Sequence, residues 1–94
     1  MATQVKMGRI VCTRGVAMLM DENLGFAAFV NDCLSRHMAG DWGALNQEDQ
    51  KANQRALLEG GRLLSNYVLN PHLRVWVITE SDRSVSTVLF PEEY

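Results

Sequence analysis

The sequence predicts an α+β fold: an antiparallel sheet of three to four strands packed with two main helices. Three observations lead there. From Arg62 to Phe90, three segments alternate in the period-two pattern of β-strands, separated by short polar turns. From Leu24 to Met38, apolar residues recur three or four positions apart, the spacing of one helix face. A further segment near the start, Val5 to Cys12, carries enough β-formers to join the sheet at an edge.

In chain order, Val5–Cys12 places Val5, Met7 and Val11 on one side and Ile10 and Cys12 on the other. Arg9 interrupts the first side, which favours an edge strand over a central one. Thr13-Arg14-Gly15 reads as a turn, and Val16–Met20 as a short helical piece. The main helix, Leu24–Met38, is framed by an N-cap at Asn23 and a stop at Gly40. Phe26, Phe29, Val30, Cys33, Leu34 and Met38 form its apolar stripe.

After the Gly40–Gly43 loop, a second helix is predicted over Gln47–Leu58. Asn46 and Asp49 approximate a capping box there, and Gly60-Gly61 supplies the stop. Its apolar face (Ala52, Ala56, Leu57) is thin, so it buries little area. The sheet follows. Leu63–Leu69 ends at the Asn70-Pro71 turn, where proline blocks continuation. Leu73–Thr79 is apolar on both faces, which predicts a central strand covered on both sides, with Trp76 its most buried residue. Residues 80–83 turn the chain, and Val85–Phe90 runs until Pro91.

The 94 residues supply one domain, 1–94, with material for one core. At 47% hydrophobic and 21% charged, the chain lies in the globular range. A net charge of −2 makes nucleic acid an unlikely general partner. Lys6, Arg9 and Arg14 are the one basic group that could support a nucleic-acid-associated accessory role. No apolar run approaches the ~20 residues that a membrane span needs. Lys6 and Arg9 interrupt anything resembling a signal peptide, so a cytoplasmic location and free Cys12 and Cys33 thiols are expected.

No metal, cofactor or catalytic residue is assigned. The two cysteines and two histidines lack ligand spacing. Gly60-Gly61 lacks the glycines and lysine of a phosphate loop. Ser81 and Ser84 flank Asp82 and Arg83 with no histidine nearby in sequence, so these are read as turn residues. The sharpest enzymatic alternative pairs His37 with Asp41, four residues on, although His37 is more simply a helix-end residue. His72, in a turn, is read as solvated.

Non-enzymatic protein binding is therefore the leading reading. Trp42, Glu92, Glu93 and Tyr94 are the candidate protein contacts. Trp42 is also placed over the core, and Pro91–Tyr94 also closes the end of the sheet. The thin second helix leaves a sheet face for a homodimer, formed by Trp76, Ile78, Val88 and Phe90, or alternatively by Val75, Val77, Val85 and Leu89. The 80–84 turn and the Pro91–Tyr94 segment lie at opposite ends of the last strand. They are not expected to form one compact site.

Four segments together resemble a family of small, uncharacterised bacterial proteins carried on plasmids and other mobile elements. They are Gly40-Asp41-Trp42-Gly43, Gly60 to Ser65, Ile78 to Ser84, and Thr87 to Tyr94. The resemblance covers about Thr13 to Tyr94 and implies no active site. Some relatives carry labels linking them to type I restriction and its methyltransferase. This chain has no methyl-donor fold and no Asn/Asp-Pro-Pro-aromatic motif. What the resemblance implies is the company of mobile-element accessory genes, and hence a host restriction or CRISPR component as partner.

Overall fold

In the computed structural model, which describes residues 4–94, four strands assemble in the order β1-β4-β3-β2. They are β1 (Arg9–Cys12), β2 (Leu63–Asn70), β3 (Leu73–Thr79) and β4 (Val85–Leu89). The last three form an antiparallel meander. β1 runs parallel to β4, with Arg9 opposite Val85 and Cys12 opposite Val88, so the sheet is mixed and not purely antiparallel. The chain leaves β1 directly into helices and returns only much later. A parallel pair requires that kind of crossover, and a hairpin could not supply it.

β1 is shorter than Val5–Cys12. Gly8 adopts φ +65°, where any side chain would collide with the Arg83 and Ser84 backbone. This breaks the extended run, and the preceding arm docks separately: Val5 N–H donates to the Met38 carbonyl at 2.7 Å, burying Val5 and Met7.

Among the described residues there are three α-helices, α1 (Arg14–Glu22), α2 (Leu24–Met38) and α3 (Gln47–Glu59), and a short 3-10 turn at Pro91–Glu93. α1 exceeds the predicted Val16–Met20 because Thr13 is its N-cap, accepting from Val16 N–H, so residues 14 and 15 are its first turn. Asn23 separates α1 from α2 and caps the latter through Phe26 N–H at 3.0 Å. Asn46 caps α3 through Asp49 N–H at 2.8 Å, and Gly60 ends it in the left-handed conformation. Among the described residues, no helix is long and apolar enough to cross a membrane.

α2 covers one face of the sheet with Phe26, Val30, Cys33 and His37. Strand register puts Leu63, Ser65, Tyr67, Val75, Val77, Thr79, Ser86 and Val88 on that inner face, all fully buried. β3 is central, as expected, but its cover is unequal. The outer face carries Leu64, Asn66, Trp76, Ile78, Thr87 and Leu89. Of these only Ile78 and Leu89 are buried, and Trp76 is partly buried. Trp76 is therefore not the most buried residue; the largest fully buried side chains are Tyr67, Phe26 and Leu63. Trp76→Ala is accordingly expected to cost about 2–3 kcal/mol, less than a core truncation, because part of the ring stays in water on folding. A urea midpoint that fell as far as for a core truncation would contradict this placement.

The proposed dimer faces do not exist as sets. Val88 pairs with Val77 on the inner face, and Phe90 packs on Phe26 of α2 at 5.9 Å, while Trp76 and Ile78 point outward. The alternative set is split in the same way, with Val75 and Val77 inward and Leu89 outward. Period-two alternation separates the two faces of each strand. The phase between strands is set by the turns.

α3 lies along the β2 edge, which would otherwise present unpaired backbone groups. The Asn53 amide closes that edge as a strand would, donating to the Leu64 carbonyl at 2.7 Å and accepting from Leu64 N–H at 3.2 Å. The preceding loop does the same for Asn66, whose N–H donates to the Trp42 carbonyl and whose carbonyl accepts from Ala44 N–H. Gly43 makes this possible at φ +73°, since a Cβ there would run into the Asn66 carbonyl.

Candidate functional site

Because α3 follows the sheet edge and leaves the middle uncovered, a surface cavity opens between the helix and the outer face. Its volume is about 580 Å³. Leu45, Asn46, Asp49 and Ala52 form the helix-side wall; Arg62, Leu64, Asn66 and Trp76 form the sheet-side wall. Even numbering through β2, and its pairing with even-numbered residues of β3, put Leu64, Asn66 and Trp76 on this side. Asn66 Oδ1 is buried and has no hydrogen-bond partner.

Arg62 divides this cavity from a smaller one, about 280 Å³, lined by Ile78, Glu80, Thr87, Leu89, Glu93 and Tyr94. Its guanidinium donates to Tyr94 Oη at 2.8 Å, lies 5.5 Å from the Tyr94 ring centre, and pairs with Glu80 at 3.4 Å. Tyr94 in turn meets Trp76 edge-on, with centroids 5.7 Å apart. The 80–84 turn and the Pro91–Tyr94 segment are thus joined on one surface, against the sequence expectation. β4 has only five residues, about 17 Å at the usual rise, and the long Arg62 and Tyr94 side chains span the distance.

The other sequence candidates separate. Trp42 is 4% exposed, edge-on to His37 at 5.5 Å, and so belongs to the core and offers no contact surface. Glu93 is committed internally: its carboxylate accepts from Thr13 Oγ1 at 2.6 Å and from Phe90 N–H at 2.8 Å. These bonds hold its carboxyl below the ordinary value. It anchors the segment onto the start of α1, where a negative charge is favoured. Glu92 and Tyr94 are exposed, Tyr94 at 67%. Lys6, Arg9 and Arg14 are all exposed along the arm, β1 and the start of α1. His72 is also exposed.

His37 and Asp41 do not meet. The Asp41 carboxylate takes the Arg36 guanidinium at 2.7 Å and Gly43 N–H at 3.1 Å; those bonds lower its pKa. Arg36 also lies over the Tyr67 ring, 4.8 Å from its centre. His37 is fully buried between Ser65 and Thr79, with Nδ1 to Ser65 Oγ at 2.5 Å and Nε2 to Thr79 Oγ1 at 2.8 Å. Ser86 Oγ donates to the Met7 carbonyl at 2.7 Å, so it accepts from Thr79 Oγ1 at the same distance. Thr79 must then accept from His37 Nε2–H, which fixes a proton on Nε2. Desolvation, with a smaller contribution from the Arg83 charge, pushes its pKa down to about 4, so the ring is neutral at pH 7 and Nδ1 accepts from Ser65. This is a satisfied core histidine.

Arg83 is also structural, although the sequence placed it only in a turn. At φ 63° its guanidinium donates to the Gly61, Glu80 and Ala56 carbonyls, closing the C-terminal end of α3. Cys33 is buried, which pushes its thiol up to about 12, whereas Cys12 is exposed; both are free. A thiol reagent should therefore modify Cys12 in the native protein and Cys33 only after unfolding. Equal native rates would contradict the burial of Cys33. Among the described residues, no group of three histidine, cysteine or acidic side chains could hold a metal ion.

Sequence reasoning named Trp76 and Tyr94 but missed Arg62, Asp49 and Asn66, which share their surface. Parity along β2 groups Arg62, Leu64 and Asn66, but nothing in the sequence aligns that parity with Trp76. The fold and this surface define a small α+β protein with a mixed four-stranded sheet and an aromatic–arginine groove beside α3. No family model, curated protein or solved structure matches the chain.

Proposed function

We propose that this chain is a non-enzymatic binding protein that docks a partner protein on the outer face of its sheet. One observation carries the reading: Tyr94 touches both Trp76 and Arg62 on a surface bordered by two cavities. Tryptophan, tyrosine and arginine are the residues most enriched where interfaces concentrate their binding energy. Here they are held in place before a partner arrives, which reduces the ordering cost of association. The resemblance to mobile-element proteins supports a host restriction or CRISPR component as partner, met in the cytoplasm.

The test is capture from host extract by the intact chain, with the captured protein identified and then purified. Trp76→Ser and Tyr94→Ser should weaken binding to that purified protein while keeping a cooperative melting transition. Binding indifferent to both substitutions would sink the reading. Sedimentation of the free protein distinguishes the other occupant of this face: concentration-dependent dimerisation abolished by Trp76→Ser would assign the groove to a second copy.

A further inference from the structure

Within that reading, and resting on it, we propose that the larger cavity receives an arginine side chain from a basic segment of the partner. The charges lining it are Asp49 and Arg62. Arg62 is already compensated by Glu80, whereas the Asp49 carboxylate has no ion-pair partner among the described residues. The unmatched charge in the cavity is therefore negative. An anion drawn to the N-terminal turn of α3 would face Glu48 and Asp49 there, which cancels the attraction of the helix dipole.

The neutral walls point the same way. The partly buried Trp76 indole lines the cavity and offers a π system to a cation, and indole is the strongest such partner. Asn66 borders the same cavity and adds a neutral polar wall. A guanidinium meets both demands at once: it is planar enough to stack on the indole and charged for Asp49. A lysine ammonium is more strongly hydrated and cannot stack, which makes it the poorer fit. The volume of about 580 Å³ lies within the roughly 300–1,000 Å³ of small-ligand pockets and admits the side chain with its flanking backbone.

The test uses the isotopically labelled full chain titrated with N-acetyl-arginine methylamide and followed by NMR. The Trp76 indole N–H and the Asn66 side-chain amide are expected to shift saturably, while the Trp42 indole stays fixed. N-acetyl-citrulline methylamide, of the same shape without the charge, should bind several-fold more weakly. Asp49→Asn should remove that preference, and the lysine probe should fall between the two. No saturable shift at Trp76 and Asn66, or equal shifts with citrulline, would overturn the proposal. Capture of the partner reports separately on the groove. A silent arginine titration alongside capture that still depends on Trp76 overturns the arginine assignment and leaves the docking reading standing.

Discussion

Acidification from pH 7 to about pH 4 is expected to weaken the fold by about 3 kcal/mol through His37 alone. The imidazole is fully buried between two hydroxyl partners, and burial lowers its pKa from 6.5 to about 4. Between those values the unfolded chain binds a proton that the folded chain does not, so stability falls as pH falls through this window. The contribution is complete above the unfolded pKa and gone once the folded group is protonated. Asp41 and Glu93, whose pKa values are lowered from 3.8 and 4.5, lose their stabilisation as pH falls below those values, at the acid end of the window and beyond it. Urea unfolding at intervals from pH 7 to 4.5 should show the slope, and His37→Gln should flatten it. A flat profile in the wild-type protein would mean that water or charge reaches the ring.

Truncation of Tyr67 should be the most damaging single change, at about 3–5 kcal/mol for Tyr67→Ala. The ring is the largest fully buried side chain, sits on the inner face of the edge strand β2 opposite Val75, and supports the Arg36 guanidinium. Its hydroxyl donates to the Asp41 carbonyl at 2.6 Å, tying β2 to the loop that carries Trp42. Against a total stability of about 5–15 kcal/mol, a loss of that size leaves a marginal fold. Tyr67→Phe removes only the hydroxyl and should cost about 1 kcal/mol. Similar urea midpoints for the two variants would move the effect from the ring to the hydrogen bond.

The elements were legible where a local cap and a repeating pattern agreed. Asn23 and the apolar spacing of Leu24–Met38 delimit α2, and Asn46 with Gly60 delimits α3 to within one residue. The sequence shortens α1 because Thr13-Arg14-Gly15 has the composition of a turn. The role of Thr13 as a cap depends on a hydrogen bond to Val16 N–H that Gly15 in the first turn obscured. The N-terminal strand was overextended for a similar reason, since Gly8 needs its positive φ only because the 83–84 backbone lies against it.

The candidate site was less legible. Trp76 and Tyr94 were singled out as individual residues, but their contact requires the Pro91–Glu93 turn to bring Tyr94 back to Arg62 and Trp76 on the outer face. His37 was weighed with Asp41 because they are close in sequence. Its actual partners, Ser65 and Thr79, lie 28 and 42 residues away.

By itself, the sequence determined the class of fold, the order of its elements and the meander of the last three strands. These depend on propensity, periodicity and turn chemistry, which act over a few residues. Tertiary structure alone decided that β1 joins in parallel, which residues of neighbouring strands share a face, and that α3 closes the β2 edge through Asn53 while leaving a groove beside Trp76. The physical reason is that period-two alternation is unchanged when one strand's faces are exchanged. Only the packing of α2 against a particular inner face, and the burial it brings, selects one phase for the whole sheet.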